Sequence, residues 1–234
     1  MEVSEPRPSL DGSRGEKKNY AERLSRAIAQ DVAQGLRNAF PGITPLADGT
    51  RHETPARTAK GFKKLDVGYS TPELGLGLGV SIKTLNYRDR KTKRYTKNYS
   101  RVDNELRAEA TDYHVRQPYS VLAGLLYLPA DSCDDGDPDR PTSVSSFASA
   151  VRYFRSRRGR EQPTDDPELF EAFYIGIYEF EGSRRGQVWY FDAGASPPRA
   201  RRPTEDETWS HSEVLALITS TYDERNDPPF EFVE

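Results

Sequence analysis

Cysteine is nearly absent from this sequence. Cys133 stands alone, which excludes an intrachain disulfide and any zinc cluster built on several thiolates. Histidine is almost as scarce: His52, His114 and His211 are scattered, with no HExxH spacing. No apolar run of about 18 residues occurs, so no membrane-spanning helix is expected. The first 18 residues, MEVSEPRPSLDGSRGEKK, hold no apolar stretch and do not read as a signal peptide. A cytoplasmic location is the simplest expectation. There is no P-loop, no GxSxG turn and no dinucleotide fingerprint. GLGLG at 75–79 lies inside a strand pattern and opens no helix, so no organic cofactor is expected.

What is present is charge. Of 234 residues, 30% are charged, and the formal net charge is −3. Mean hydropathy is −0.83, so the surface must be very polar. An acidic balance argues against a protein coated in positive charge. It leaves room for a local basic groove, because the field in a cleft depends on where the charges lie. Aromatics at 11% are enough for a real core.

Taken in order, residues 1–16 are rich in Pro, Gly, Ser and charge and read as a disordered leader. The rest, 17–234, reads as a single domain with a core over 19–128 and an extension over 143–234. Residues 19–40 carry Ala21, Leu24, Ile28, Val32, Leu36 and Phe40 at helical steps and predict a helix. Residues 43–60 read as a polar connector holding His52 and Glu53. Two strands follow within 62–83. Asp66 sits in the first, and the second ends in Ser81-Ile82-Lys83. In the second strand, Leu74, Leu76, Leu78, Val80 and Ile82 alternate with Gly75, Gly77, Gly79, Ser81 and Lys83, so one face is aliphatic. Glycines on the other face leave either a trough leading to Lys83 or room for a closely packed neighbour.

Residues 102–117 predict a second helix with Val102, Leu106, Ala110 and Tyr113 inward. At about 100° per residue, Glu109 falls roughly 55° from the centre of that stripe and Glu105 roughly 95°. Residues 120–128 read as an interior strand parallel to a neighbour. The acidic loop 129–142, with Cys133, lacks EF-hand spacing and reads as surface. A helix over 144–155, two strands over 168–181 and 186–193, and a helix over 210–221 capped by Ser210 with Glu213 complete the chain. The expected fold is α/β: a central mixed sheet of about five strands with helices on both sides.

Between Thr84 and Arg107 basic residues dominate. Lys91, Lys93, Arg94, Lys97 and Arg101, with Arg116 further on, are the candidate nucleic-acid contacts. Tyr87, Tyr95 and Tyr99 are interleaved as candidate stacking or phosphate-bonding groups. Arg199, Arg201 and Arg202 form a second candidate patch. An acid on one strand and a lysine closing the next suit metal-assisted phosphodiester cleavage: carboxylates hold the ion, and a lysine orients water or stabilises developing charge.

The element order is helix, strand with Asp66, strand ending Ser81-Ile82-Lys83, helix with Glu109, apolar strand. It resembles the core of the PD-(D/E)xK nuclease superfamily, to which many restriction endonucleases belong. The resemblance spans roughly 19–128. Asp66 follows Leu65 rather than proline, and Ser81 stands where the middle acid is usual. Some restriction enzymes of this superfamily are similar in having serine there, with a glutamate on the following helix supplying the carboxylate. The resemblance therefore implies Asp66, Ser81, Lys83 and Glu109 as catalytic residues, with Glu105 as the second choice for the glutamate. It implies Mg²⁺, or Mn²⁺ in its place, on Asp66 and Glu109. It also implies hydrolysis of double-stranded DNA in restriction or phage defence, with a homodimer as the simplest way to cut both strands. The alternatives are a non-catalytic nucleic-acid-binding or protein-interaction domain on the same fold, and an unrelated α/β enzyme.

Overall fold

The computed structural model describes residues 6–50, 54–58, 61–72, 75–137, 139–140 and 142–227. His52, Glu53 and Leu74 lie outside them. The architecture is α/β. Strands β3 (Val67–Thr71), β4 (Gly75–Thr84), β5 (Val121–Pro129), β6 (Ala172–Tyr178) and β7 (Val188–Asp192) form one sheet in that order. The inner pairs β4–β5 and β5–β6 are parallel, and the edge strands β3 and β7 run antiparallel. Helices α1 (Arg14–Leu36) and α4 (His211–Arg225) cover one face, and α2 (Tyr99–His114) and α3 (Ser146–Phe154) the other. Strand β5 explains the layering. It is apolar throughout, yet Val121, Ala123, Leu125 and Tyr127 pack on the α1 side, while Leu122, Leu126 and Leu128 pack on the α2 side. Burial of each of the Val and Leu side chains is worth about 1.5–3 kcal/mol.

Several elements differ from the sequence expectation, for local reasons. Helix α1 starts at Arg14 because Ser13 and Glu16 form a reciprocal capping box. Residues 6–13 are therefore not a loose leader. Arg7 lies over the rings of Phe180 and Tyr87, 4.1 and 4.9 Å from their centroids. The connector 43–60 contains a strand, β1 (Thr54–Thr58), which pairs antiparallel with β2 (Gly61–Leu65) in a separate two-stranded ribbon. Pro55 is tolerated there because this ribbon has no third strand to receive its missing N–H.

Strand β4 does not keep one alternation throughout. Its pairing with β3 shifts between Tyr69 and Ser70, so Gly77 is skipped. Leu76 consequently packs on the α2 side, while Leu78, Val80 and Ile82 pack on the α1 side. The glycines are not an open trough. A Cβ on Gly79 would come within 2.7 Å of Leu122 and 2.9 Å of Leu65, and one on Gly77 within 3.2 Å of Tyr222. Close packing against neighbours is what needs glycine here. Cys133, expected at the surface, is fully buried, and burial pushes its thiol up to about 12.

Candidate active site

The mixed sheet brings the motif residues to the ends of β3 and β4. Asp66 is not in a strand. It forms the bend between β2 and β3. Pairing of β3 with β4 begins at Val67↔Val80, and beyond it the carboxylate Oδ2 of Asp66 accepts the backbone N–H of Ile82 at 2.8 Å. Asp66 is thereby pinned to the residue between Ser81 and Lys83. Those two side chains share a strand face, and both reach α2. The Ser81 hydroxyl donates to Oε2 of Glu109, and the Lys83 ammonium lies 2.5 Å from Oε1. Both oxygens of Glu109 are therefore held by β4. The Lys83 and Glu109 side chains are 17% and 25% exposed, so the pair is screened from bulk water yet reachable.

Glu109 is thus the helix glutamate that joins the motif. Glu105, the second choice, does not: its side chain is 41% exposed and paired with Arg101 at 2.6 Å. Two further residues, missed in the sequence, belong to the site. Asp112, three residues past Glu109 on the same helix side, is buried and ion-paired with Lys63. Tyr113 is fully buried, and its hydroxyl has no hydrogen-bond partner among the described residues. Burial first, and then the negative charge of Glu109, Asp112 and Asp66, hold that hydroxyl protonated well above its ordinary range. It is an unused donor beside the two motif carboxylates. Replacing it with Tyr113→Phe is expected to stabilise the protein by about 1 kcal/mol, since an unsatisfied buried hydroxyl is costly. Thermal melts read this as a rise of roughly 2–4 °C; a fall shows that the hydroxyl has a partner in solution.

The basic segment after β4 is placed differently from expectation. Tyr95 and Tyr99 are buried and donate to Asp131 and to the carbonyl of Ser146, both at 2.7 Å, so neither is a stacking platform. Arg94 is directed inward onto the carbonyl of Val144. Lys97 pairs with Asp89 at 2.7 Å. Arg101 pairs with Glu105, and Arg107 with Glu168 at 2.6 Å. Arg201 is held by both carboxylate oxygens of Glu207, and Arg202 pairs with Glu179. Lys91, Lys93 and Arg116 are exposed. Most of the run is an internal ion-pair frame, which leaves few of the candidate cations to a polyanion.

Among the described residues, no group of three or more His, Cys, Asp or Glu side chains is assembled as a metal site. Asp66 and Glu109 offer hard carboxylate oxygens and no sulfur or imidazole. That donor set fits Mg²⁺, which takes one or two protein carboxylates and keeps several waters. Among the described residues, no helix is long and apolar enough to cross a membrane. Comparison with known protein families, with curated proteins and with solved structures finds no match.

Proposed function

We propose that the chain is a Mg²⁺-dependent endonuclease that hydrolyses phosphodiester bonds of double-stranded DNA, on a restriction-endonuclease-like core. The observation that carries this reading is that Ser81 and Lys83 of β4 bind both carboxylate oxygens of Glu109 on α2, while the Asp66 carboxylate accepts the backbone N–H of Ile82 between them. Asp66 and Glu109 would hold the ion. When bound, Mg²⁺ polarises the phosphate and lowers the pKa of a coordinated water. Ser81 and Lys83 fix Glu109 in one orientation. Lys83 is also the cation nearest the carboxylates from β4, placed to stabilise charge that develops on the attacked phosphate. A role in restriction or phage defence, as a cytoplasmic homodimer, belongs to the same proposal.

Nicking of supercoiled plasmid tests it. Wild-type protein is expected to convert supercoiled DNA to open circles with Mg²⁺ and not with EDTA, and Asp66→Ala is expected to abolish the conversion. Ser81 in place of an acid favours the second reading, a DNA-binding domain without catalysis. Duplex binding by the wild type without cleavage under any divalent ion would support that reading instead.

A further inference from the structure

Beyond the carboxyl ends of the parallel strands β4, β5 and β6 lies a cavity of about 650 Å³. Each strand exit contributes to its wall: Arg88 after β4, Asp131 after β5 and Phe180 after β6. The segment from Pro6 to Leu10, ahead of α1, supplies the rest of one side. Open α/β sheets bind ligands in crevices outside the carboxyl ends of their strands, and this volume suits a small molecule. Asp66, Ser81, Lys83 and Glu109 do not line it.

The charges around the cavity do not balance. Its walls carry Arg7, Arg88 and Arg185 against Asp131 and Glu181. Both oxygens of Asp131 are engaged, Oδ1 by the Tyr95 hydroxyl at 2.7 Å and Oδ2 by Arg88 at 2.9 Å. Arg7 is half-buried and reaches only the Tyr95 hydroxyl, at 3.4 Å, and the faces of Phe180 and Tyr87. Among the described residues no carboxylate pairs with it. A guanidinium stacked on a ring keeps its in-plane N–H groups for a bidentate anion. Arg88 lies over the ring of Tyr95, 5.6 Å from its centroid, so the two guanidiniums converge on one tyrosine. The Nε of Arg88 is buried with no hydrogen-bond partner among the described residues. Buried donors and charges left without partners are costly, and an anion bound between Arg7 and Arg88 supplies what both lack. Pro6, Pro8, Leu10 and Phe180 make the remaining lining apolar, which suits a ligand with a planar body behind its charged head.

We propose that this cavity is a second binding site, for a nucleoside monophosphate, with the phosphate on Arg7 and Arg88 and the base against Leu10 and the two prolines. It stands independently of the endonuclease reading. The test is calorimetric titration of the full chain with adenosine monophosphate, adenosine and inorganic phosphate. Adenosine monophosphate is expected to bind tighter than either fragment. Arg7→Gln is expected to weaken it by about ten- to a hundredfold, the loss of a charge-assisted contact. Ser9→Glu is a second variant, because Ser9 is an exposed residue of the wall and the new carboxylate competes for the arginines. It is expected to abolish nucleotide binding without lowering the melting temperature, and it decides the matter should Arg7→Gln fold poorly. Absence of binding at millimolar nucleotide overturns the proposal, as does equal binding of adenosine or of inorganic phosphate, or wild-type affinity in the folded variants. Displacement of the nucleotide by a short DNA duplex also overturns it, because the arginines would then belong to the nucleic-acid track.

Discussion

Lys83→Ala is expected to lower the rate of plasmid nicking by about 10²–10³-fold, the usual cost of removing one preorganised group that stabilises transition-state charge. The fold should survive, because Lys83 is at the mouth of the site and Glu109 keeps its bond from Ser81. Equal melting curves, with rates measured at saturating DNA, isolate the chemical step. A loss smaller than about tenfold would remove Lys83 from the chemistry. Ser81→Ala takes away only a bond that orients Glu109, and its expected loss is about tenfold, close to one hydrogen bond to a charged group. A sharper comparison moves the acid itself. Glu109→Ala should abolish nicking. If the site needs a carboxylate at this spot, whichever element bears it, Ser81→Glu added to Glu109→Ala should return part of the activity. No return would mean that the helix position of the acid is itself required.

The approach of Ser81 and Lys83 to Glu109 was legible because it rests on short-range regularities, whereas Asp66 was expected inside a strand and forms a bend. Ser81 and Lys83 share a face by strand alternation, and Glu109 follows from the phase of the α2 stripe, though its choice over Glu105 also leaned on a family pattern. Helix α4 was legible from Ser210 and Glu213, which do form the capping box. The same signature at Ser13–Glu16 was hidden by the Pro and Gly around it. What could not be read is what depends on distant partners. Arg94 faces Val144, Tyr95 faces Asp131 and Arg107 faces Glu168, and nothing local distinguishes such a side chain from a solvated one. The skipped Gly77 is equally silent, because a bulge belongs to the pairing of two strands rather than to either one. Strand β1 was missed for a different reason: Pro55 breaks the strand signal in a segment too short to alternate twice, while β2 falls within the first expected strand.

Glu171→Ala is expected to cost the fold about 3–5 kcal/mol, the usual penalty for stranding buried charge. Glu171 lies just before β6, and its side chain is 1% exposed. One carboxylate oxygen takes Arg160 at 2.8 Å and Arg225 at 2.9 Å. The other accepts the backbone N–H of Leu122 at 2.8 Å and faces His114 at 3.4 Å. His114 in turn donates Nδ1–H to the carbonyl of Pro167. One carboxylate therefore joins α2, β5, the approach to β6 and α4, and its removal takes from two buried guanidinium groups the carboxylate they both contact. Urea unfolding should show the loss, with melting lowered by roughly 10 °C; a loss under about 1 kcal/mol would mean that water enters and solvates the arginines. Acid dependence gives an independent check. Burial works to raise this carboxyl, but the bonds from His114, Leu122 and Arg160 outweigh it and hold it below its ordinary value. A depressed acid contributes stability above its unfolded pKa, and that contribution fades as pH falls through the folded value. The stability gap between the wild type and Glu171→Gln should therefore be constant near neutrality and narrow below about pH 4.5. A gap that widens on acidification would show that the folded protein holds Glu171 protonated, and that the two arginines are neutralised by something else.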